Sequence, residues 1–114
     1  MAMPGTLEGP EWQVTQIAGL DDLPAGRVTI QFGADGRVSG RGGCNGYFGS
    51  FTRDGNALEL GLMAMTEMAC PGQAMAIERE FHQMLGQITG YHFIADGGLA
   101  LTGADGVLVQ AEKG

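Results

Sequence analysis

The chain has 114 residues and a mass of 11.9 kDa, the size of one domain with a single core. Six Lys and Arg against 13 Asp and Glu give a formal net charge of −7, which disfavours binding to nucleic-acid phosphates or anionic lipid. Hydrophobic residues make up 44% of the chain, so a folded core is expected, but no apolar run is long enough to span a membrane.

Short strands separated by glycine-rich turns are predicted through the first half of the chain. The clearest strand has Val28, Ile30 and Phe32 on one face and polar residues between them, the period of two of a half-buried strand. Further strands are expected at 12–17, 37–39, 47–51 and 57–62, with turns such as 33–36 between them. The glycine-rich segment 40–46 predicts a tight corner of the fold.

The second half of the chain changes its hydrophobic period once. Apolar residues recur at helical spacing from 74 to 88, which predicts one amphipathic helix with Gly86 or Gly90 marking its end. Three more strands are expected at 91–95, 99–102 and 107–111. The predicted class is therefore mainly β (α+β): a small antiparallel open β-barrel of about eight strands with one helix packed on it. Residues 1–6 are expected to be a disordered or cloning-derived N-terminus, and residues 7–112 the single domain.

The two cysteines, Cys44 and Cys70, are candidates for a disulfide bond. An even number of cysteines in a small, loop-rich domain is typical of a disulfide formed in an oxidising compartment. Such a bridge would stabilise the domain by about 3.5 kcal/mol on the chain-entropy model. The alternative is a pair of reduced, buried thiols that pack as small apolar groups. The sequence leaves both alternatives open.

The sequence lacks the residue spacing that catalytic and metal sites need. Both cysteines and both histidines together match none of the compact zinc-ligand patterns. We expect His82 to be partly exposed and His92 to face solvent. Neither serine, Ser39 or Ser50, sits in a nucleophile elbow, so an enzyme is disfavoured and no catalytic residue, metal or cofactor is predicted.

For the acidic, methionine and aromatic side chains, a purely structural role stands beside each possible functional one. Glu67, Glu78 and Glu80 are the carboxylates nearest one another. Glu78 and Glu80 point in different directions on the predicted helix and the chain has no calcium-loop motif, so all three are expected on the solvated surface. Five methionines serve as core filler or as an adaptable binding surface, namely Met63, Met65, Met68, Met75 and Met84. Tyr47, Phe48 and Phe51 likewise line a site or belong to the core.

Two segments of the chain carry a family resemblance. Residues 40–49 read Gly-Arg-Gly-Gly-Cys-Asn-Gly-Tyr-Phe-Gly, and residues 65–71 read Met-Thr-Glu-Met-Ala-Cys-Pro. With Trp12 near the start, Phe32 before a turn, and Glu78 and Phe81 on the predicted helix, this pattern resembles the META domain, or HslJ-like, family over residues 7–111. The resemblance implies a lipocalin-like fold that agrees with the strand and helix count.

The resemblance also implies a non-enzymatic domain linked to heat shock and the bacterial envelope. We therefore expect a periplasmic or envelope-associated protein, with the leader not present in this chain and a cytoplasmic location as the alternative. Its expected partner is an envelope protein or a small apolar ligand, with no nucleic acid and no membrane span, and the chain is expected to be a monomer. The alternative function is a purely structural or stress-protective domain stapled by a disulfide, with no specific ligand.

If a functional surface exists, the sequence places it at the glycine corner. A bridge between Cys44 and Cys70 would bring that corner together with residues 66–71. Asn45 is expected to support the turn through its side-chain amide rather than to touch a ligand. The candidate corner residues are Gly43, Asn45, Tyr47, Phe48, Thr66, Ala69 and Pro71.

Overall fold

The computed structural model describes residues 7–20 and 23–113, which form a ring of eight antiparallel strands with one helix. The predicted N-terminal segment 1–6 lies outside the described residues. The first five strands are β1 (Glu11–Ile17), β2 (Thr29–Phe32), β3 (Arg37–Arg41), β4 (Gly46–Asp54) and β5 (Ala57–Met65). They are followed by helix α1 (Gln73–Leu85), strand β6 (Gly90–Ile94), a short 3₁₀ turn (Ala95–Gly97), and strands β7 (Gly98–Gly103) and β8 (Gly106–Lys113).

The mainly β class with eight strands and a single helix is confirmed, and several of the boundaries differ. Strands β3 and β4 extend into the predicted corner, which shortens it to residues 42–45. Strand β5 continues beyond residue 62 to Met65. The helix ends at Leu85, so of the two predicted stops Gly86 is the one used. Gly86 donates the last hydrogen bond to a carbonyl four residues back, that of His82, whereas the next two residues donate to carbonyls three residues back.

The strands are arranged in the ring in the order in which they follow along the chain. The ring closes where β1 pairs with β8, with Trp12 opposite Lys113. The junction between β5 and β6 is the weakest, because only Ala57 and Gly90 are paired there, whereas β4 and β5 pair over almost their whole length. Beyond Ala57, the edge of β5 that faces away from β4 is therefore not paired with β6.

The interior of the ring is filled by large apolar side chains. Alternation along each strand turns every second residue inward, and Ile77 and Phe81 of α1 pack among these residues from one side. The indole Nε1 of Trp12 donates to the carbonyl of Leu7 at 3.1 Å, so the one polar atom of this buried ring is satisfied. The largest fully buried side chains are Trp12, Phe32, Phe81, Leu7, Ile30, Leu58, Ile77, Leu99, Leu101, Val14, Val28 and Val38.

Helix α1 is short and amphipathic, and its buried side faces the core. Within the ranges that the structure describes, no helix has both the length and the hydropathy needed to cross a membrane.

Candidate functional site

A disulfide joins the glycine corner to the segment that leads into α1. The Sγ atoms of Cys44 and Cys70 are bonded to each other, and the Cα atoms of the two residues lie 6.0 Å apart. Of the two alternatives that the sequence leaves open, the structure therefore shows the bonded pair, and no free cysteine remains in the described chain. The bond also removes both thiols from any zinc site.

The carboxylate of Glu78 binds the same corner from the helix side. Its Oε1 accepts hydrogen bonds from the backbone N–H of Asn45 at 2.6 Å and of Cys44 at 3.2 Å. Its Oε2 accepts a third from the side-chain amide of Asn45 at 2.8 Å. Burial alone raises the pKa of Glu78, but the hydrogen bonds from Asn45 and Cys44 outweigh it, and the pKa lies below the ordinary 4.5. Glu78 is therefore a buried, ionised anchor.

The side chain of Asn45 links Glu78 to the loop that follows β5. Its Oδ1 accepts hydrogen bonds from the backbone N–H of Met68 at 2.7 Å and from the hydroxyl of Thr66 at 2.8 Å. Its Nδ2 donates to the carbonyl of Met68 at 3.2 Å as well as to Glu78. Only 2% of Asn45 is exposed, so its amide is used entirely inside the protein. Asn45 thus joins three segments of the chain.

Gly43 lets the corner lie directly against the helix. Its backbone has φ +112°, and a Cβ at this position would lie 2.9 Å from the carbonyl oxygen of Ala74 and 3.1 Å from the backbone nitrogen of Glu78. Both atoms belong to the helical backbone, which cannot move aside easily. A side chain at position 43 would therefore separate the corner from Glu78.

Tyr47 and His82 pack against each other beneath this corner. The Tyr47 hydroxyl donates to the carbonyl of Thr29 at 2.8 Å, and burial raises the pKa of this hydroxyl. Its ring meets Phe81 and His82 edge-on, with centroids 5.6 and 5.3 Å apart. Burial lowers the pKa of His82, and the negative charge of Glu78 opposes that shift only in part. His82 is half-buried, and its Nε2 is buried without a hydrogen-bond partner among the described residues.

The expectation that Glu78 lies on the solvated surface is wrong. Only 5% of Glu78 is exposed, whereas Glu67 is exposed and Glu80 is half-buried. The signal was present in the sequence, because Glu78 lies four residues after Ala74 and three before Phe81, on the apolar side of the helix. A carboxylate there needs buried N–H donors, and the glycine corner supplies them.

The remaining predicted residues lie on different sides of the corner. Thr66 contacts Asn45 through its hydroxyl, while Ala69 and Pro71 are exposed on either side of Cys70. Phe48 follows the buried Tyr47 and therefore points to the opposite face of β4, where 57% of it is exposed.

Phe48 lies over a shallow depression on the outer face of β4 and β5. It is paired with Ala64 across the ladder, and Leu62, which is 97% exposed, lines the same depression of about 410 Å³. Asp35 and Arg37 border it. We call Phe48, Leu62 and Ala64 the Phe48 patch. It is an apolar surface that lies outside the core formed by the described residues.

A second depression, of about 350 Å³, lies near the junction of β5 with the segment before β6 and is lined in part by Arg53, Leu58 and Ile88. The guanidinium of Arg53 is engaged by Glu8, with Nε 2.8 Å from Oε2, and this contact raises the pKa of Arg53. Arg53 also donates to the hydroxyl of Tyr91 at 3.3 Å. Its charge is thus already compensated within the protein.

The geometry at the corner suits support of the fold better than chemistry. Each oxygen of Glu78 already accepts hydrogen bonds, and its lowered pKa keeps it deprotonated at neutral pH. Over residues 7–20 and 23–113, no group of three or more His, Cys, Asp or Glu side chains is placed to hold a metal ion. The corner is a cross-linked structural unit, and the Phe48 patch lies on the outer face of the strand that leaves it.

The fold and the corner define a class of small, mainly β domains in which a disulfide and a buried carboxylate hold a glycine corner against one helix. The META domain model matches residues 5–113, so the chain belongs to the META domain family. A protein from Burkholderia xenovorans, with a structure determined by NMR, is 26% identical and has a TM-score of 0.76, over 95% of this chain and 83% of that one. Another protein of NMR structure shares the fold at a TM-score of 0.65 and 24% identity, over 97% of this chain and 95% of that one. No curated protein sequence matches the chain.

Proposed function

We propose that this META domain is a non-catalytic module that binds a protein partner through the Phe48 patch. The observation that carries the proposal is the pair of large apolar side chains, Phe48 at 57% and Leu62 at 97% exposure, over one depression. Contiguous exposed apolar surface of this kind is typical of an interaction site rather than of a free monomer surface. The packed corner behind it gives the patch a rigid support.

A protein partner fits these features better than a small apolar ligand held inside the ring. The interior is occupied by buried aromatic and aliphatic side chains such as Trp12, Phe32 and Leu101. The apolar surface that remains accessible is on the outside and is shallow, as protein-binding surfaces commonly are. The absence of enzymatic activity is part of the proposal, and the full engagement of Glu78 by hydrogen bonds supports it.

We assign the module to an oxidising compartment, with the periplasm or envelope as the specific proposal. The Cys44–Cys70 disulfide is consistent with such a compartment. Acid quenching and alkylation of thiols in cells that naturally express the chain provide the test. Protection of both cysteines supports the assignment, whereas ready labelling of both contradicts it and favours the cytoplasm.

Site-specific photo-crosslinking tests the binding proposal. A benzophenone amino acid replaces Phe48, which keeps an aromatic group on the patch, and in a control chain it replaces Glu112, an exposed residue of β8. We expect a discrete adduct with another protein from position 48 and none from position 112, and Leu62→Ser should reduce the adduct. The same adducts from both positions, or none from position 48, would contradict the proposal.

A further inference from the structure

We propose that the partner adds an extended, basic strand to the free edge of β5, next to the Phe48 patch; this inference rests on the proposed function. The free edge is defined as residues 59–65 on the side of β5 that faces away from β4. Ala57 is the last residue of β5 to pair with β6, so no described strand covers this edge. Strand addition to a sheet edge is a common way in which proteins bind extended segments.

The hydrogen-bond pattern shows which backbone groups the free edge offers. Thr66 donates its N–H to the carbonyl of Gly46, on the β4 side, at 3.1 Å. Backbone groups in an antiparallel ladder alternate between the two sides, so the N–H and C=O of Met65 and Met63 point away from β4. These groups face outward, and no strand among the described residues lies next to them.

The same alternation applies at the other end of the edge. Leu58 donates its N–H to the carbonyl of Thr89 at 3.0 Å, away from β4, and Leu60 lies two residues further along. A register shift separates Leu60 from Met63, so the strand bends between them. The free edge therefore presents two short stretches of outward-facing backbone, and the longer stretch adjoins Leu62.

Apart from Glu59 at its start and the register shift between Leu60 and Met63, the free edge lacks the features that usually prevent strand addition. Residues 60–65 read Leu-Gly-Leu-Met-Ala-Met, with neither a charge nor a proline. Natural edge strands are commonly protected by lysine, proline or inward-pointing charges. Their absence here, together with 39% exposure of Met65, indicates a surface that binds another strand.

Charge determines which strand fits. Residues 54–78 contain no Lys or Arg; of the exposed acids, Glu59 begins the free edge and Glu67 lies two residues beyond its other end. An incoming strand with Lys or Arg near its ends would face these carboxylates. A second copy of this chain would instead bring the same acids and another net charge of −7 to the interface. The occupant is therefore a basic strand of a different protein.

Selection from a library of displayed random dodecapeptides tests the proposal, with the disulfide-intact chain as the target. We expect enriched peptides to carry apolar residues at alternate positions and Lys or Arg near their ends. The best peptide is then synthesised, and its affinity is measured by fluorescence anisotropy. An N-methylated version that lacks the amides on one edge should bind at least about tenfold more weakly.

Two matched variants locate the peptide on the chain. Met65→Pro removes an outward N–H without breaking the β4–β5 ladder and should weaken binding by about tenfold, whereas Met65→Val keeps the N–H and should change it by less than about twofold. Near-UV circular dichroism checks that both variants fold. If Met65→Pro does not fold, the loss of binding by the N-methylated peptide still tests the proposal.

Each other outcome separates the two proposals. Failure to enrich any peptide, or equal binding to both Met65 variants, overturns strand addition. Equal binding to both variants together with loss of binding in Phe48→Ser overturns only the strand and leaves the Phe48 patch as the docking surface. A dimer that Met65→Pro dissociates, detected by sedimentation, identifies a second copy as the occupant and overturns the proposal.

Discussion

The carboxylate of Glu78 lies 2.6 Å from the backbone nitrogen of Asn45, so a helix residue fixes the conformation of a corner 33 residues earlier in the chain. Asn45 in turn bonds Thr66 and Met68, and Cys44 is bonded to Cys70. The corner, the connection after β5 and the helix are thus held as one unit by both covalent and polar contacts. Loss of any of these contacts should lower the free energy of unfolding.

Glu78→Gln should destabilise the domain by about 1–3 kcal/mol, because an amide nitrogen would then face a buried N–H donor. Urea unfolding followed by circular dichroism measures the change. Glu67→Gln is the matched control, since Glu67 is exposed, and should alter the free energy of unfolding by no more than about 0.5 kcal/mol. Equal effects of the two substitutions would contradict the role assigned to Glu78.

The contribution of Glu78 should depend on pH. Its pKa in the folded chain lies below the 4.5 of the unfolded chain, so the unfolded state takes up the proton first as the pH falls. The stabilisation is therefore complete above about pH 4.5 and is lost as the pH falls through the folded pKa. Urea midpoints of the parent chain and of Glu78→Gln should converge on acidification, and a constant difference would refute the assignment.

Gly43→Ala should cost about 1–3 kcal/mol more than Gly9→Ala. The two glycines have nearly equal positive φ angles, +112° and +110°, so both substitutions place alanine at a φ that favours glycine. A Cβ at position 43 meets the helix backbone, whereas a Cβ at position 9 has no atom within 4 Å. Thermal and urea unfolding of both variants isolate the contact between corner and helix. Similar losses would indicate that backbone strain alone requires Gly43.

Reduction of the disulfide should lower the free energy of unfolding by about 3.5 kcal/mol, as expected for closing a loop with a sequence separation of 26. The chain has two cysteines, so reductant acts on this bond alone. Intact mass after alkylation should show no labelling of the native protein and two labels after reduction. Unchanged stability on reduction would show that the Asn45 hydrogen bonds hold the corner without the bond.

The class of fold was accessible from sequence because its signals are local. Alternation through Val28, Ile30 and Phe32 and the turn glycines identify strands, since each depends only on neighbours along the chain. Helix periodicity likewise identified α1, and Gly86, one of the two glycines expected to mark its end, directly follows the last helical residue, Leu85.

The details of the corner were less accessible because they depend on contacts between distant segments. Either Tyr47 or Phe48 had to face inward, and the sequence alone did not say which. Gly40 is paired with Tyr47, and the absence of a side chain there leaves room for the Tyr47 hydroxyl to reach Thr29. The buried state of Glu78 likewise depends on the N–H groups of a corner 33 residues away.

The order of the strands also bears on how the chain folds. Every ladder except β1–β8 joins strands that are consecutive along the chain, so most of the ring can grow from one hairpin to the next. The closing ladder pairs Trp12 with Lys113 and requires the ends of nearly the whole chain to meet. The entropy cost of closing this loop is offset only after the hairpins have formed. We therefore expect the β1–β8 ladder to form last and to limit the folding rate.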